Sequence, residues 1–560
     1  MPPRESAGDS PLLRSGLTVS MDGKPMRLLG RDIPWHSLGE LIEDKAARHG
    51  ERVFATIDGR DLSYRRLEAE SRRVALNLRS AGIAKGDRIA TLMFNCVEQV
   101  VTWFGAARMG AVWTPLNAGL TGADLEHTLR DSGARVLVFD AESQAKVDAL
   151  DPALRAGLSV YCIDSPQSSY PSFARLLAAG NAGGVLEPVG PGDPALILYT
   201  GGTTGLPKGV VTPTLSLILA GIRYGESFAV HAGERHFSTL PLFHAAAIQF
   251  AIMGPLVNDM TSVVDRRFSA SDFWQRVRDC GANVIDPIGA MTTMLCLQPE
   301  GADDRRHKVR VVIGIVNQIP AEIPDRFKQR FGVPMVEIYG LTEGGGAMLT
   351  SNRPEGYCAG SNGKPHGWVD IKIADEHDLP VAPGVVGQIL LRPLFPHMFM
   401  IGYHNAPEKT AEALRDLWLH TGDLGRVDAE GNLFFIGRRA HWIRRRGENI
   451  SAYEIEAILG QHPAVGEVVV VGVPSELGED DIKAFIIAAA GVAADPLALV
   501  EWCGGKLAPF KVPRYFEYVA DFPRSITKRE IERSVLKKMP NLSAWDREKV
   551  LGRLSGQSSR

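Results

Sequence analysis

The chain has 560 residues, 45 % of them hydrophobic and 23 % charged, with a formal net charge of -3. That length exceeds what one core ordinarily serves and predicts two or more domains. The near-neutral balance of charge gives no reason to expect a nucleic-acid partner.

The six cysteines (Cys96, Cys162, Cys280, Cys296, Cys358 and Cys503) are scattered, without the short spacings of a zinc site or a dithiol motif. They read as packed thiols of a reducing compartment. The polar start, MPPRESAGDSPLLRSG, lacks the apolar centre of a signal peptide, and residues 1–34 are expected to form a flexible arm. The most apolar stretch, 484–494, is far shorter than the ~20 residues a membrane span needs, so a cytoplasmic location is expected.

Leu38–His49 predicts an amphipathic helix, and RDLSYRRLEAESRRVALNLRSAG (60–82) a turn feeding a long one. KGDRIATLMFN (85–95) reads as strand, VEQVVTWFGAARMGAV (97–112) as a buried helix, and ARVLVFD (134–140) as strand. Such alternation predicts an α/β fold with parallel-rich sheets covered by helices.

ALILY (195–199) is a short strand-like run leading into TGGTTGLPKGV (200–210). Gly201, Gly202 and Gly205 let a backbone approach a ligand closely. Thr200, Thr203 and Thr204 add hydroxyls and Lys208 adds a charge, a donor set suited to polyphosphate. It is not a Walker loop: Gly209, not Ser or Thr, follows the lysine, and a valine-rich stretch stands where a P-loop would open a helix. On composition alone, a surface hairpin rich in small residues is the competing reading.

The last 120 residues change character. GNLFFIGR (431–438) ends a β-rich stretch, and a basic connection follows. Ala452–Leu459 then predicts a helix, with strands over 465–473 and 482–490. These suffice for a small α+β domain, which places a boundary near 438–440.

The string YTGGTTGLPKGV (199–210) closely resembles the phosphate loop of the adenylate-forming superfamily, which takes in acyl-CoA synthetases, peptide adenylation domains and luciferases. Six further motifs follow the superfamily's order: RMGAVWTPLN (108–117), LPLFHAAA (240–247), YGLTE (339–343), WLHTGDLGRVDAEGNLFFIGR (418–438), RRRGENISAYEIE (444–456) and FPRSITKRE (522–530). Together they cover roughly residues 35–535. The RRRGENIS segment is similar to the branch of carnitine- and crotonobetaine-type CoA ligases and actinobacterial fatty acyl-CoA ligases.

The resemblance implies a large AMP-binding domain over 35–438 and a small mobile domain over 439–560, with a hinge near Ala440. It implies that an organic acid is activated by ATP as an acyl-AMP, with pyrophosphate released, and that the acyl group passes to coenzyme A. Residue by residue, it gives the ATP and AMP site Thr200, Gly201, Gly202, Thr203, Thr204, Gly205, Lys208, Tyr339, Asp423 and Arg438. Thr342 would touch the α-phosphate, Glu343 would help hold Mg²⁺, and His244 would line the acid pocket with its aromatic neighbour. Lys528 would serve adenylation, and Ala440, Arg446, Gly447 and Glu448 the CoA step and its pivot. A homodimer is the default assembly for such an enzyme.

The chain departs from the superfamily pattern at several points. Gly201 replaces a serine, Thr527 stands where a glycine usually precedes the lysine, and Arg444 takes the place of a common lysine. Ala440 and His441 occupy pivot positions that are usually charged. VVIGIVNQIP (311–320) keeps only Gly314 of a small turn that faces adenine.

Other readings remain open from sequence. One is an adenylating enzyme with another acceptor: an amine, a carrier-protein thiol, or an arylamine with nitrite as the activated acid. Another is a non-catalytic nucleotide-binding relative, and a third a membrane-associated acyl carrier. Small residues at Gly289, Ala290, Gly344, Gly345 and Gly346 predict room for a bulky or long acid.

Overall fold

The computed structural model describes residues 26–28, 31–165, 167–179, 185–202, 205–314, 323–345, 350–351, 357–365, 367–438, 442–445, 448–475, 480–492, 495–504, 506–524 and 531–551. The chain divides into two compact units. The first takes residues 1–316, 324–371 and 391–421; the second takes 317–323, 372–390 and 422–560.

The first unit opens as the sequence predicts. Ser37 caps the Leu38–His49 helix by accepting the Glu40 N–H at 3.1 Å, and Gly50 closes it at φ 53°. Ser63 caps the Tyr64–Ser80 helix in the same way, accepting from Arg66 N–H at 3.1 Å. Val97–Arg108 is buried around nearly its whole circumference. Its Trp103 stacks on Trp113 of the adjoining Val112–Leu116 strand, with ring centroids 4.9 Å apart.

Among the described residues, two sheets organise this unit. The seven-stranded sheet has a parallel centre made of Arg88–Leu92, Val112–Leu116, Ala134–Phe139, Ser159–Cys162 and Pro194–Gly202. Gly205–Pro213 and Gly402–Tyr403 continue it antiparallel at one edge. The nine-stranded sheet has six parallel strands at its centre, running from Val53–Ile57 to Met335–Tyr339. Parallel strands need crossovers of a dozen residues or more, which the intervening helices supply.

The second unit, from Gly422 on, carries most of the strand Leu419–Val427 with its antiparallel partner Leu433–Arg438, a hairpin of Trp442–Arg445 with Glu448–Ser451, and a four-stranded sheet. In that sheet Val465–Pro474 pairs antiparallel with Asp480–Ala488, which runs parallel to Tyr515–Tyr518. Trp545–Asp546 closes the far edge. The sheet is buried on both faces, and its residues alternate between two clusters. Val470, Ile482, Ala484 and Ile486 join one cluster with the Ala452–Leu459 helix, while Val469, Val471, Val473 and Phe485 face Phe522 and Leu536.

Candidate active site

The expected phosphate loop is the end of a β-hairpin. Pro194–Gly202 and Gly205–Pro213 run antiparallel, with Gly202 opposite Gly205 and Lys208 opposite Thr200, and the register shifts between Gly205 and Lys208. Thr203 and Thr204 lie outside the described residues. The apolar run below the loop is its footing: Ala195, Leu196, Ile197 and Leu198 are buried. Above them Tyr199 donates its phenol to Asp131 Oδ2 at 2.6 Å, and burial together with the Asp131 charge raises that phenol's pKa. Gly209 has no side chain because Ile197, Tyr199 and His404 close over it, with Ile197 only 2.8 Å from where a Cβ would stand.

Lys208 is half-buried, and its Nζ lies 5.0 Å from the centroid of the Tyr403 ring. Tyr403 in turn donates its phenol to Glu343 Oε1 at 2.9 Å. Burial, then the Glu343 charge and this hydrogen bond, push the phenol pKa up, so the hydroxyl stays a donor. Ammonium, phenol and carboxylate therefore stand in a row although 195 positions separate the ammonium from the phenol. The link is a two-residue strand. Gly402–Tyr403 pairs with Gly205–Pro213, Val210 facing Tyr403, and is flanked by Ile401 N–H to Val211 O at 2.8 Å and His404 N–H to Gly209 O at 2.7 Å.

Glu343 sits in a 3₁₀ turn, Thr342–Gly344, just beyond the Met335–Tyr339 strand. The turn is fixed from three sides. Met400 N–H donates to Glu343 O at 3.0 Å, and Gly345 closes the turn at φ 78° with its N–H on Thr342 O at 3.1 Å. Ser216, on the Thr214–Phe228 helix, places its hydroxyl 2.7 Å from Gly345 O and 2.6 Å from Met398 O. A Cβ at Gly345 would stand 2.0 Å from both Met398 O and Ser216 Oγ. This glycine is small because the Met398 carbonyl and the Ser216 hydroxyl fill its space, not because it widens a pocket.

Tyr339 is buried at the strand end and Thr342 is half-buried beside Glu343. Two residues before Tyr339 lies Glu337, 3 % exposed, whose Oε2 meets no hydrogen-bond donor among the described residues. Burial lifts its carboxyl from 4.5 to about 7. The sequence reading missed this group, because its alternating strand position gives no sign of burial without a partner.

His244 is half-buried and meets the Phe243 ring edge-on at 4.7 Å. Behind this segment lies a buried polar relay that sequence also left unread. Tyr224 OH lies 2.6 Å from His236 Nδ1, His236 Nε2 lies 3.1 Å from Asp286 Oδ2, and Ser238 donates to the same oxygen at 2.9 Å. Leu240 N–H bonds Ser238 Oγ at 3.2 Å and Leu242 N–H bonds Asn95 Oδ1 at 2.8 Å, so the approach to His244 is anchored at two points.

In the second unit Asp423 and Arg438 face each other across their strand pair, with Arg438 Nε 3.5 Å from Asp423 Oδ1. The carboxylate is nearly buried and the guanidinium is exposed. Arg445, the middle of the three arginines, is no solvated charge: its side chain is 4 % exposed and lies 3.2 Å from Asp481. Glu448 begins the returning strand of the hairpin. Ala440, His441, Arg446, Gly447, Thr527 and Lys528 lie outside the described residues.

Among the described residues no group of three or more His, Cys, Asp or Glu is arranged to hold a metal. No described helix is long and apolar enough to cross a membrane.

Comparison with known proteins bears on this arrangement. The AMP-binding enzyme family matches residues 42–404, and the AMP-binding enzyme C-terminal domain matches 454–529. A crotonobetaine/carnitine–CoA ligase of Salmonella paratyphi A is 32 % identical over 90 % of this chain and 98 % of its own. The crystal structure of an anthranilate CoA ligase in complex with anthranoyl-AMP superposes with a TM-score of 0.81 at 25 % identity, covering 90 % of this chain and 96 % of that one. A Mycobacterium tuberculosis fatty acyl CoA synthetase gives 0.71 at 27 % identity, over 90 % and 97 %. The chain belongs to the AMP-binding enzymes, the adenylate-forming superfamily, and within them to the AMP-forming acid–CoA ligases.

Proposed function

We propose that Lys208, Tyr403 and Glu343 form the phosphate end of the site, and that the remaining roles fall on the residues the motifs single out. The observation that carries this reading is the row of ammonium, phenol and carboxylate drawn from three distant segments. Activation of a carboxylate by ATP sets one anion against another, so the protein must neutralise phosphate charge and hold the reactants in line. Lys208, with the hydroxyls of Thr200, Thr203 and Thr204, meets the β- and γ-phosphates, and Thr342 the α-phosphate. Asp423 accepts from the ribose hydroxyls, and Arg438 steadies it across the strand pair.

The single carboxylate of Glu343 fits Mg²⁺, which takes hard oxygens and is commonly held by one or two carboxylates plus substrate phosphates. When bound, the ion would withdraw charge from the phosphate oxygens, and Tyr403 fixes which Glu343 oxygen is left to face it. Lys528 bridges the acid oxygen and the α-phosphate. The carboxylate oxygen bonds to the α-phosphorus as the bond to pyrophosphate breaks. In the second half-reaction the CoA sulfur bonds to the acyl carbon, its proton is lost, and AMP leaves. The small domain over 439–560 turns about Ala440 between the two, exchanging Lys528 for the Arg446, Gly447 and Glu448 hairpin.

The acid pocket is lined by His244 and Phe243, with Gly289 at φ 61° opening the wall beyond the Val284–Ile285 strand. Its occupant is a bulky or long organic acid. A cytoplasmic location and a homodimer complete the proposal; sedimentation at working concentration tests the latter.

The deciding experiment measures acid-dependent pyrophosphate release with and without CoA, across fatty, aryl, sterol-side-chain and betaine acids and nitrite. Release with an acyl-CoA product is expected, and acetate as the best substrate would sink the pocket reading. Lys528→Ala should abolish release yet spare thioester formation from supplied acyl-AMP; a variant that still adenylates at the parent rate removes Lys528 from its role.

A further inference from the structure

The chain continues beyond residue 529, where the C-terminal family match ends, and the described part of that continuation is tied to the Trp442–Arg445/Glu448–Ser451 hairpin. Arg445 is the last described residue before the connection, paired with Glu448 across the strands. Its Nη1 donates to Phe510 O at 2.9 Å, its Nε lies 3.2 Å from Asp481 Oδ1, and its Nη2 lies 3.5 Å from Glu548 Oε1. A second buried arginine closes the network. Arg514 bonds Asp481 Oδ2 at 2.7 Å and both oxygens of Asp546 at 3.2 Å, and its Nε lies 3.7 Å from Glu548 Oε2. The backbone follows the same path, with Arg547 N–H on Arg514 O at 2.8 Å and Trp545–Asp546 pairing with Tyr515 and Phe516.

Two arginines thus share three carboxylates, and two of those three, Asp546 and Glu548, come from the C-terminal continuation. Every one of these side chains is about a tenth exposed or less. Removing one member leaves an uncompensated charge in a poorly solvated place, so the network holds its geometry as a unit. What the network fixes is the base of the hairpin on one side and residues 546–548 on the other.

We infer that residues 545–551 position the Trp442–Arg445/Glu448–Ser451 hairpin for thioester formation, with Asp546 and Glu548 acting through Arg445 and Arg514 as positioning residues. The inference rests on the reading that this hairpin serves the CoA half-reaction. Adenylation, which in that reading uses Lys528 from elsewhere in the small domain, does not depend on the clamp.

The test is Glu548→Gln in the full chain, measured in both half-reactions. Acid-dependent pyrophosphate release without CoA should stay within about twofold of the parent, while the KM for CoA rises about tenfold. Glu548→Asp, which keeps the charge, should recover most of the loss. A variant that loses both half-reactions equally, or neither, overturns the inference. Amide hydrogen exchange over 442–451 supplies a second readout in the intact protein: exchange should quicken in Glu548→Gln, and unchanged exchange overturns the clamp even where activity is too low to resolve. Gly447→Leu separates the two layers. If it leaves the CoA step intact, the hairpin reading itself has failed; if it impairs that step while Glu548→Gln does not, only the clamp has failed.

Discussion

Glu337 offers a prediction whose sign and size both follow from its surroundings. Its carboxyl is buried with one oxygen unmatched, and burial alone raises its pKa from 4.5 to about 7. Between those values the folded state holds a proton that the unfolded state has released, so stability falls as pH rises through the window. At 1.36 kcal/mol per pH unit the penalty approaches about 3 kcal/mol above pH 7 and vanishes below 4.5. Glu337→Gln replaces the charged form with a neutral side chain of the same shape. The variant should match the parent in urea at pH 4.5 to 5 and exceed it by up to about 3 kcal/mol at pH 8, a large share of a typical domain's stability. The assay is the urea midpoint of the apo protein, followed by tryptophan fluorescence across that pH range. Parallel pH profiles for parent and variant would refute the reasoning, for they would mean that Glu337 finds a donor or solvent on folding.

Two further perturbations probe groups described above. Tyr403→Phe removes the donor to Glu343 Oε1, a hydrogen bond to a charged group worth about 1.5–3 kcal/mol. Half-maximal pyrophosphate release should then need at least about tenfold more Mg²⁺, and an unchanged Mg²⁺ requirement would detach Tyr403 from the site. Arg223 is fully buried, its guanidinium 5.8 Å from the Trp368 ring, and none of its three side-chain nitrogens meets an acceptor among the described residues. Arg223→Met should stabilise the apo protein by about 1–4 kcal/mol, and a lower melting temperature would show that the cation has a partner.

What sequence made legible was local. The amphipathic run announced the Leu38–His49 helix, because its apolar period lies within the segment itself. ALILY followed by glycines and Lys208 announced a strand and a donor-rich loop, and the valines after it did continue as strand rather than open a helix. Tyr403 gave no such signal: its task comes from a pairing with Val210, and strand pairing between distant segments leaves no period in either one. Gly345 was misread as spare volume, since sequence cannot distinguish a glycine that leaves space from one whose space is taken by Met398 and Ser216. Arg445 was hidden for the opposite reason. Within RRRG it looks like a solvated charge, and only Asp481, Asp546 and Glu548, brought in by other elements, make burial affordable. The relay of Tyr224, His236, Ser238 and Asp286 is of the same kind, four isolated polar residues that meet only once the parallel strands are laid side by side.

The two-residue strand that carries Tyr403 also sets a schedule for synthesis. Gly205–Pro213 has its inner neighbour, Pro194–Gly202, available at once, but its outer neighbour is encoded some 190 residues later. At roughly 5–20 residues per second, that edge emerges from a ribosome about 10–40 s before Gly402–Tyr403 can cover it. Through that interval a valine-bearing strand presents unpaired backbone groups, the feature that most readily recruits another chain. A nascent chain stalled before residue 402 should therefore engage chaperones and resist nucleotide, whereas one released beyond residue 404 can close the edge and join Lys208 to Glu343 in a single step.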